Sequence, residues 1–223
     1  MESPLHPTQD PSFRLIETFG YHPRNGIARA SLHVSRMVKS ATDLGMPHDR
    51  DAIETQLTQI NGDNPLRCRL TLSPTGALEL TTAPMPVPSD QMRFVISDVR
   101  LTSSDPLLRY KTSRRASYDQ ARAALPEGIQ EAILLNERDE VCEGTITNIA
   151  ITTPQGDRLT PPLSSGCLAG VYRQSQLDAG TLKEAQLSLQ DLAEAPVIHL
   201  INSLRGATPA FWARECGQFI RIA

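Results

Sequence analysis

Apolar and polar residues follow one another along this chain in blocks of different period. Residues 13–19, FRLIETF, are β-prone and predict a strand, which the turn-like HPRNG at 22–26 closes. In SLHVSRMVKSATDLGM, the apolar residues Leu32, Val34, Met37, Val38, Ala41 and Leu44 recur at helical spacing. They predict a helix over about 31–44, stopped by Gly45 and Pro47. A second helix is expected near 49–60, ending at Asn61-Gly62. Residues 66–100 change period: LRCRLTLS, ALELTTAP and MRFVISDV are short β-prone runs between Pro, Gly and Ser breaks, the pattern of an antiparallel meander. The polar TSSDP at 102–106 interrupts the pattern and reads as a domain boundary.

The pattern then restarts. YKTSRRASYDQARAAL is extended at first and helical afterwards. Strands are expected at 131–136 and roughly 145–152, with a turn at Asn136–Glu140 between them. A helix is expected from Val171 to about Leu177, and another near 188–195 opened by Ser188 and Asp191 in a capping-box arrangement. VIHLINS and the terminal FIRI read as strands. No internal repeat is present, so two α+β parts follow one another: residues 13–103 and 104–223, behind a flexible leader at 1–12.

With 223 residues, 39 % of them apolar, the chain is long enough to bury a sizeable core. Lys plus Arg number 22 against 25 Asp plus Glu, a net charge of −3 without the basic excess of a nucleic-acid binder. No run of 18 apolar residues suggests a membrane helix, and MESPLHPTQDPSF does not read as a secretory signal. Cys68, Cys142, Cys167 and Cys216 are widely spaced and form no CxxC pair, which fits reduced thiols in a cytoplasmic protein. The scattered histidines offer no dedicated metal site.

A few residues stand out chemically. Lys111 ends the apolar patch Pro106, Leu107, Leu108, Tyr110 and is flanked by Arg109, Arg114 and Arg115. Nearby positive charge favours a neutral amine, able to attack a carbonyl, although KTSRR also reads as a basic surface loop. Glu143, in VCEGTITNI, is either an exposed strand-edge acid or a carboxylate held against a buried cation. Asn148 would project from the opposite face of a regular strand unless a bulge near Gly144 changes the parity. LTPPLSSGCLAGVYR sets a glycine directly before a helix, whose first N–H groups form a natural anion site or an ordinary junction. NSLRGATP also offers anion contacts, and Arg36 either faces inward or snorkels into solvent.

Taken together and in order, FRLIETF, LHVSRMVKSATDLG, YKTSRRASYDQA, EVCEGTITNIAI, LTPPLSSGCLAGVYR and INSLRGATP resemble the class IV aminotransferases, the fold-type IV enzymes dependent on pyridoxal 5'-phosphate. The resemblance spans about residues 13–210. It implies an α+β, two-domain, D-amino acid aminotransferase-like fold, with a smaller N-terminal α/β domain and a larger, β-barrel-like C-terminal domain. It also implies roles. Lys111 matches the catalytic lysine that bonds the cofactor aldehyde and shuttles protons at the substrate Cα, and Glu143 the acid that pairs with the pyridine nitrogen. Arg36, Ser203 and the backbone N–H groups of Val171 and Tyr172 match the phosphate site. Asn148 matches a position with a supporting role.

Within the family the resemblance is strongest to 4-amino-4-deoxychorismate lyases, especially the module fused behind aminodeoxychorismate synthase component I, through the Lys-Thr-Ser-x-Arg and TPPLSSG segments. It implies conversion of aminodeoxychorismate to 4-aminobenzoate and pyruvate in folate biosynthesis, with Arg115 receiving the substrate's carboxylates. Ala116 stands where branched-chain aminotransferases usually carry Tyr. The alternatives are an aminotransferase acting on branched-chain or D-amino acids and a non-catalytic relative. The pattern departs from the family at Tyr110, a frequent His, and at Tyr172, commonly Thr. A cytoplasmic homodimer acting on a small molecule is the implied setting, with a separate aminodeoxychorismate synthase as a candidate partner that the sequence alone does not decide.

Overall fold

The computed structural model describes residues 9–216, which divide into two units. The first comprises the chain up to Val87 together with Tyr110–Arg114, and the second Pro88–Arg109 with the chain from Arg115 onward. Lys111 therefore belongs to the first unit, although the sequence groups it with residues 104–223. Its segment pairs with the first strand: Leu15 bridges Thr112, and the Ile16 N–H donates to the Lys111 carbonyl at 2.8 Å. The FIRI strand and most of the leader lie outside the described residues.

The first unit is a sheet covered by helices. β1 (Leu15–His22) lies between β2 (Gly26–Ile27) and β3 (Leu66–Leu72), and β3 in turn pairs with β4 (Leu78–Pro84), all antiparallel. Helix α1 (Ala30–Asp43) buries Val34, Met37 and Ala41 against Phe19, Cys68 and Leu70 of the sheet. It ends as its sequence demands: Gly45 takes the left-handed conformation, φ 65°, and the Met46 N–H returns to the Ala41 carbonyl at 2.8 Å. Helix α2 (Arg50–Thr58) is capped by the Asp49 carboxylate, which accepts the Asp51 N–H, and adds Ile53 and Leu57 to the same core.

The second unit is built on one mixed sheet. Its strands are β5 (Met92–Leu101), β6 (Glu131–Asn136), β7 (Val141–Gly144), β8 (Asn148–Thr152), β9 (Arg158–Thr160), β10 (Lys183–Glu184), β11 (Val197–Asn202) and β12 (Gly206–Trp212). Their order is β10-β9-β8-β11-β12-β5-β6-β7. β7 at one end connects to β8, near the other, through only three residues, and the Gly144 N–H donates to the Thr147 carbonyl at 2.8 Å. That short link curls the sheet back on itself, giving the half-barrel of the larger domain. β6 is buried along its whole length, as a strand covered on both faces must be. The helices α3 (Ala116–Ala123), α4 (Val171–Asp178) and α5 (Leu189–Glu194) lie between strands, and α5 opens with the expected capping box of Ser188 and Asp191.

Three expectations need correction. Residues 66–100 do not form one meander: β3 and β4 do, but β5 joins the other sheet, parallel to both β6 and β12. Such pairing depends on partners far along the chain, which local alternation does not encode. The single strand expected over 145–152 begins only at Asn148, and Val141–Gly144 forms an additional strand before it. β12, in GATPAFW, is a further unanticipated strand, the partner that completes a hairpin with β11.

Candidate active site

The first unit buries a charged cluster. Glu17 points inward from β1 and is only 2 % exposed. His33 and Arg36, three residues apart on α1, lie one turn from each other on the face that meets it. The Arg36 Nε donates to Glu17 Oε1 at 2.8 Å and its Nη2 to Oε2 at 2.6 Å, a bidentate pair, and His33 Nδ1 lies 2.6 Å from the same Oε2. Burial pushes the Glu17 carboxyl up, but Arg36 and His33 outweigh it and bring it down to about 2. Arg36 thus faces inward, with its guanidinium oriented by an acid. Lys111 lies across from Ile16, the residue next to Glu17 on β1.

The second unit assembles a different cluster. Glu143, at the end of β7, is 4 % exposed. The Tyr118 hydroxyl, on α3, donates to Oε1 at 2.6 Å, and the Asn148 Nδ2 donates to Oε2 at 3.2 Å. Because the chain reverses between Gly144 and Thr147, Glu143 and Asn148 meet side by side, so a turn resolves the parity conflict that a regular strand would impose.

Another buried acid makes that turn. Glu131 is fully buried at the head of β6 and accepts the Thr145 N–H at 2.9 Å, the Ile146 N–H at 3.3 Å and the hydroxyls of Thr145 and Thr147. Gly144 is required beside it, since a Cβ there would lie 2.9 Å from the Glu131 carboxyl carbon.

The same turn reaches the start of α4 and the β11–β12 hairpin. Asn148 Nδ2 also donates to the Leu168 carbonyl at 3.0 Å, and Gly170 packs so closely on the Asn148 amide that any Cβ would overlap it. Gly170 occupies the N-cap of α4 and, having no side chain, offers no side-chain cap to the helix. The Asn202 Nδ2 donates to the Ile146 carbonyl at 3.3 Å, and its Oδ1 accepts the N–H groups of Leu204 and Arg205, fixing the hairpin tip that carries Ser203. The Tyr172 ring approaches this hairpin at Gly206. Glu143, Val171, Tyr172 and Ser203 therefore belong to one linked framework.

Arg115 takes part in it too. Its Nη2 donates to the Thr145 carbonyl at 2.7 Å, its guanidinium lies 5.1 Å from the centre of the Tyr118 ring, and Asp119 lies 3.6 Å from its Nε. It ties α3 to the turn, a structural task the sequence did not suggest. The supporting residues Glu17, His33, Tyr118 and Glu131 were also missed. Glu17 and Glu131 carry a readable signal, an acid within a run of β-prone apolar residues, whereas Tyr118 carries none. Cys68, Cys142 and Cys167 are buried free thiols, and burial raises the proton affinity of each, which suits packing and not nucleophilic attack. Among the described residues no helix is long and apolar enough to cross a membrane.

The comparisons with known proteins agree with this architecture. A Mesorhizobium loti crystal structure named "Putative amino-acid aminotransferase" is 36 % identical, covers 91 % of this chain and 100 % of its own, and superposes with a TM-score of 0.86. A Schizosaccharomyces pombe protein named "Putative aminodeoxychorismate lyase" is 29 % identical over 183 residues, 78 % of this chain and 79 % of its own. The 4-amino-4-deoxychorismate lyase of Pseudomonas aeruginosa shares the fold at 22 % identity, with a TM-score of 0.77 over 89 % of this chain and 82 % of that one. Residues 14–210 match the family described as Amino-transferase class IV, and the chain belongs to that family of pyridoxal-phosphate-dependent enzymes.

Proposed function

We propose that this chain is a pyridoxal-phosphate-dependent 4-amino-4-deoxychorismate lyase. The observation that carries the cofactor reading is the buried Glu143 carboxylate, held at both oxygens by Tyr118 and Asn148, whose amide also packs on Gly170 at the start of α4. The residues suit the group chemically: an acid for a pyridine nitrogen, helix N–H groups and a hydroxyl for a phosphate, and an arginine already oriented by an acid. On this reading Lys111 would hold the cofactor aldehyde, Glu143 the ring nitrogen, and Arg36, Ser203, Val171 and Tyr172 the phosphate. When bound, pyridoxal phosphate supplies an electron sink for charge developing at the substrate carbon that bears the amine.

The protein's own groups then have defined tasks. The Lys111 amine takes the proton from the ring carbon carrying the substrate's amino group. Glu143 keeps a proton on the pyridine nitrogen. The C–O bond to the enolpyruvyl group breaks, the ring electrons become aromatic as 4-aminobenzoate, and the departing enol gains a proton on carbon as it becomes pyruvate. Arg115 would meet a substrate carboxylate while its Nη2 stays on Thr145. The relative named as a lyase, together with the Lys-Thr-Ser-x-Arg segment, supports this reaction.

The relative named as an aminotransferase, which matches along its whole length, favours a second reading: amino transfer to 2-oxoglutarate. One experiment separates the two. Purified protein loaded with pyridoxal phosphate is mixed with aminodeoxychorismate, and pyruvate is followed with lactate dehydrogenase. Equimolar pyruvate and 4-aminobenzoate are expected. Glutamate formed from 2-oxoglutarate and a branched-chain or D-amino acid, without pyruvate release, would overturn the lyase assignment. Borohydride reduction should fix the cofactor to the peptide containing Lys111, and sedimentation should show twice the chain mass if the homodimer forms.

A further inference from the structure

Tyr118 donates to Glu143 from helix α3, and its ring is held from two sides. It packs with Val95, Leu101, Ala121 and Leu134 in the core of the second unit, while the Arg115 guanidinium covers its face and is itself tied to the Thr145 carbonyl. The ring has little freedom to rotate its hydroxyl away from Glu143 Oε1, 2.6 Å distant. Burial, reinforced by the neighbouring Glu143 charge, raises the proton affinity of the phenol, so it remains an O–H donor across the working pH range. Asn148 holds the other oxygen, Oε2, and both donors are tied in turn to other parts of the unit. The plane of the carboxylate is thereby set from two directions.

We infer that Tyr118 is a positioning residue for the reaction, acting through Glu143: its O–H fixes the carboxylate and stabilises its ionised form opposite the cofactor's ring nitrogen. The inference rests on the proposed assignment of Glu143 to that nitrogen. A hydrogen bond donated to a carboxylate lowers its proton affinity, so loss of the hydroxyl makes Glu143 easier to protonate. The consequence has a sign. The acid side of the pH–rate profile and the titration of the bound cofactor's absorbance should both move to higher pH.

The test compares the wild type, Tyr118→Phe, Glu143→Gln and the double variant, each loaded with pyridoxal phosphate. Tyr118→Phe keeps the ring, its packing and the Arg115 stacking and removes only the O–H. It should move the acid limb and the absorbance titration up by about one pH unit, lower kcat about tenfold, leave KM nearly unchanged and retain the borohydride adduct on Lys111. In the Glu143→Gln background the same change should alter kcat and cofactor affinity less than about twofold, the non-additivity expected when one residue works through the other. Replacing Tyr118 by 3-fluorotyrosine, a stronger donor of nearly the same shape, should move the limb the opposite way and guards against misfolding of the Phe variant. Unmoved limbs, or equal losses in both backgrounds, would overturn the role of Tyr118 while leaving the cofactor reading intact. A wild-type protein that forms no adduct on Lys111 would overturn both.

Discussion

Glu17 and Glu143 are both carboxylates buried in β-strands, yet they are surrounded differently. Glu17 faces an arginine in a bidentate pair and a histidine, a cluster whose charges compensate one another inside the first unit. Glu143 receives a phenol O–H and an amide N–H, groups that fix its direction while bringing no formal charge of their own. The first arrangement holds a cation in place. The second fixes the direction of a carboxylate. Burial alone would place the two acids in one class; their partners separate them, and the proposed function gives Glu143 the part that acts on the cofactor.

The contrast breaks most visibly if the two acids are neutralised in turn. Glu17→Gln removes the anion from beneath Arg36 and leaves that partly buried guanidinium without its bidentate acceptor, which should cost about 3–5 kcal/mol of folding stability. Denaturant unfolding followed by circular dichroism measures it. Glu143→Gln keeps the shape and one acceptor oxygen, so its stability cost should be smaller; on the proposed role of Glu143, turnover should fall about 100-fold or more, because a neutral amide cannot hold a proton on the ring nitrogen. If instead Glu143→Gln unfolds the protein and Glu17→Gln lowers turnover alone, the assignments are reversed.

Gly170→Ala sharpens the same comparison from the backbone side. The added methyl overlaps the Asn148 amide oxygen, so Asn148 must move and with it the second donor to Glu143. A cost of about 1–3 kcal/mol is expected, together with weaker binding of pyridoxal phosphate in an absorbance titration. Gly45 provides the control: nothing lies within 4 Å of a Cβ there, and only its positive φ is strained by Ala. Gly45→Ala should destabilise the first unit with cofactor affinity unchanged.

Much of this was legible along the chain, for identifiable reasons. α1, α5 and β6 follow from local periodicity and caps: the 3.6-residue spacing of Val34, Met37 and Ala41, the Ser188–Asp191 box, and the continuous run Ala132–Leu135. Lys111, Glu143 and the glycine before α4 stood out because their motifs occur together and in order. What remained hidden depends on distant partners. β5 lies parallel to β6 and β12, a pairing that no local alternation records. The turn at 145–147 exists because Glu131, more than a dozen residues earlier, claims its N–H groups, and the Tyr118–Glu143 contact joins positions 25 residues apart.

The subtlest difference between the two acids should appear at low pH. The Glu17 carboxyl falls from 4.5 to about 2 in the folded protein. A lowered carboxylate contributes stability that is present above its unfolded value and lost as pH falls through the folded one. The stability gap between wild type and Glu17→Gln should therefore be constant above about pH 5 and narrow steadily as pH falls from 4.5 toward 2. Glu137 and Glu140 are also lowered to about 2, by the Ser103 hydroxyl and by Arg138 respectively, but they titrate in both proteins and cancel in the difference. Unfolding midpoints of the two proteins taken at half-unit steps of pH resolve the window. A gap that stays constant down to pH 2 would show that Arg36 and His33 do not hold Glu17 ionised, and the reading of the first unit's cluster as a compensated group of charges would fall.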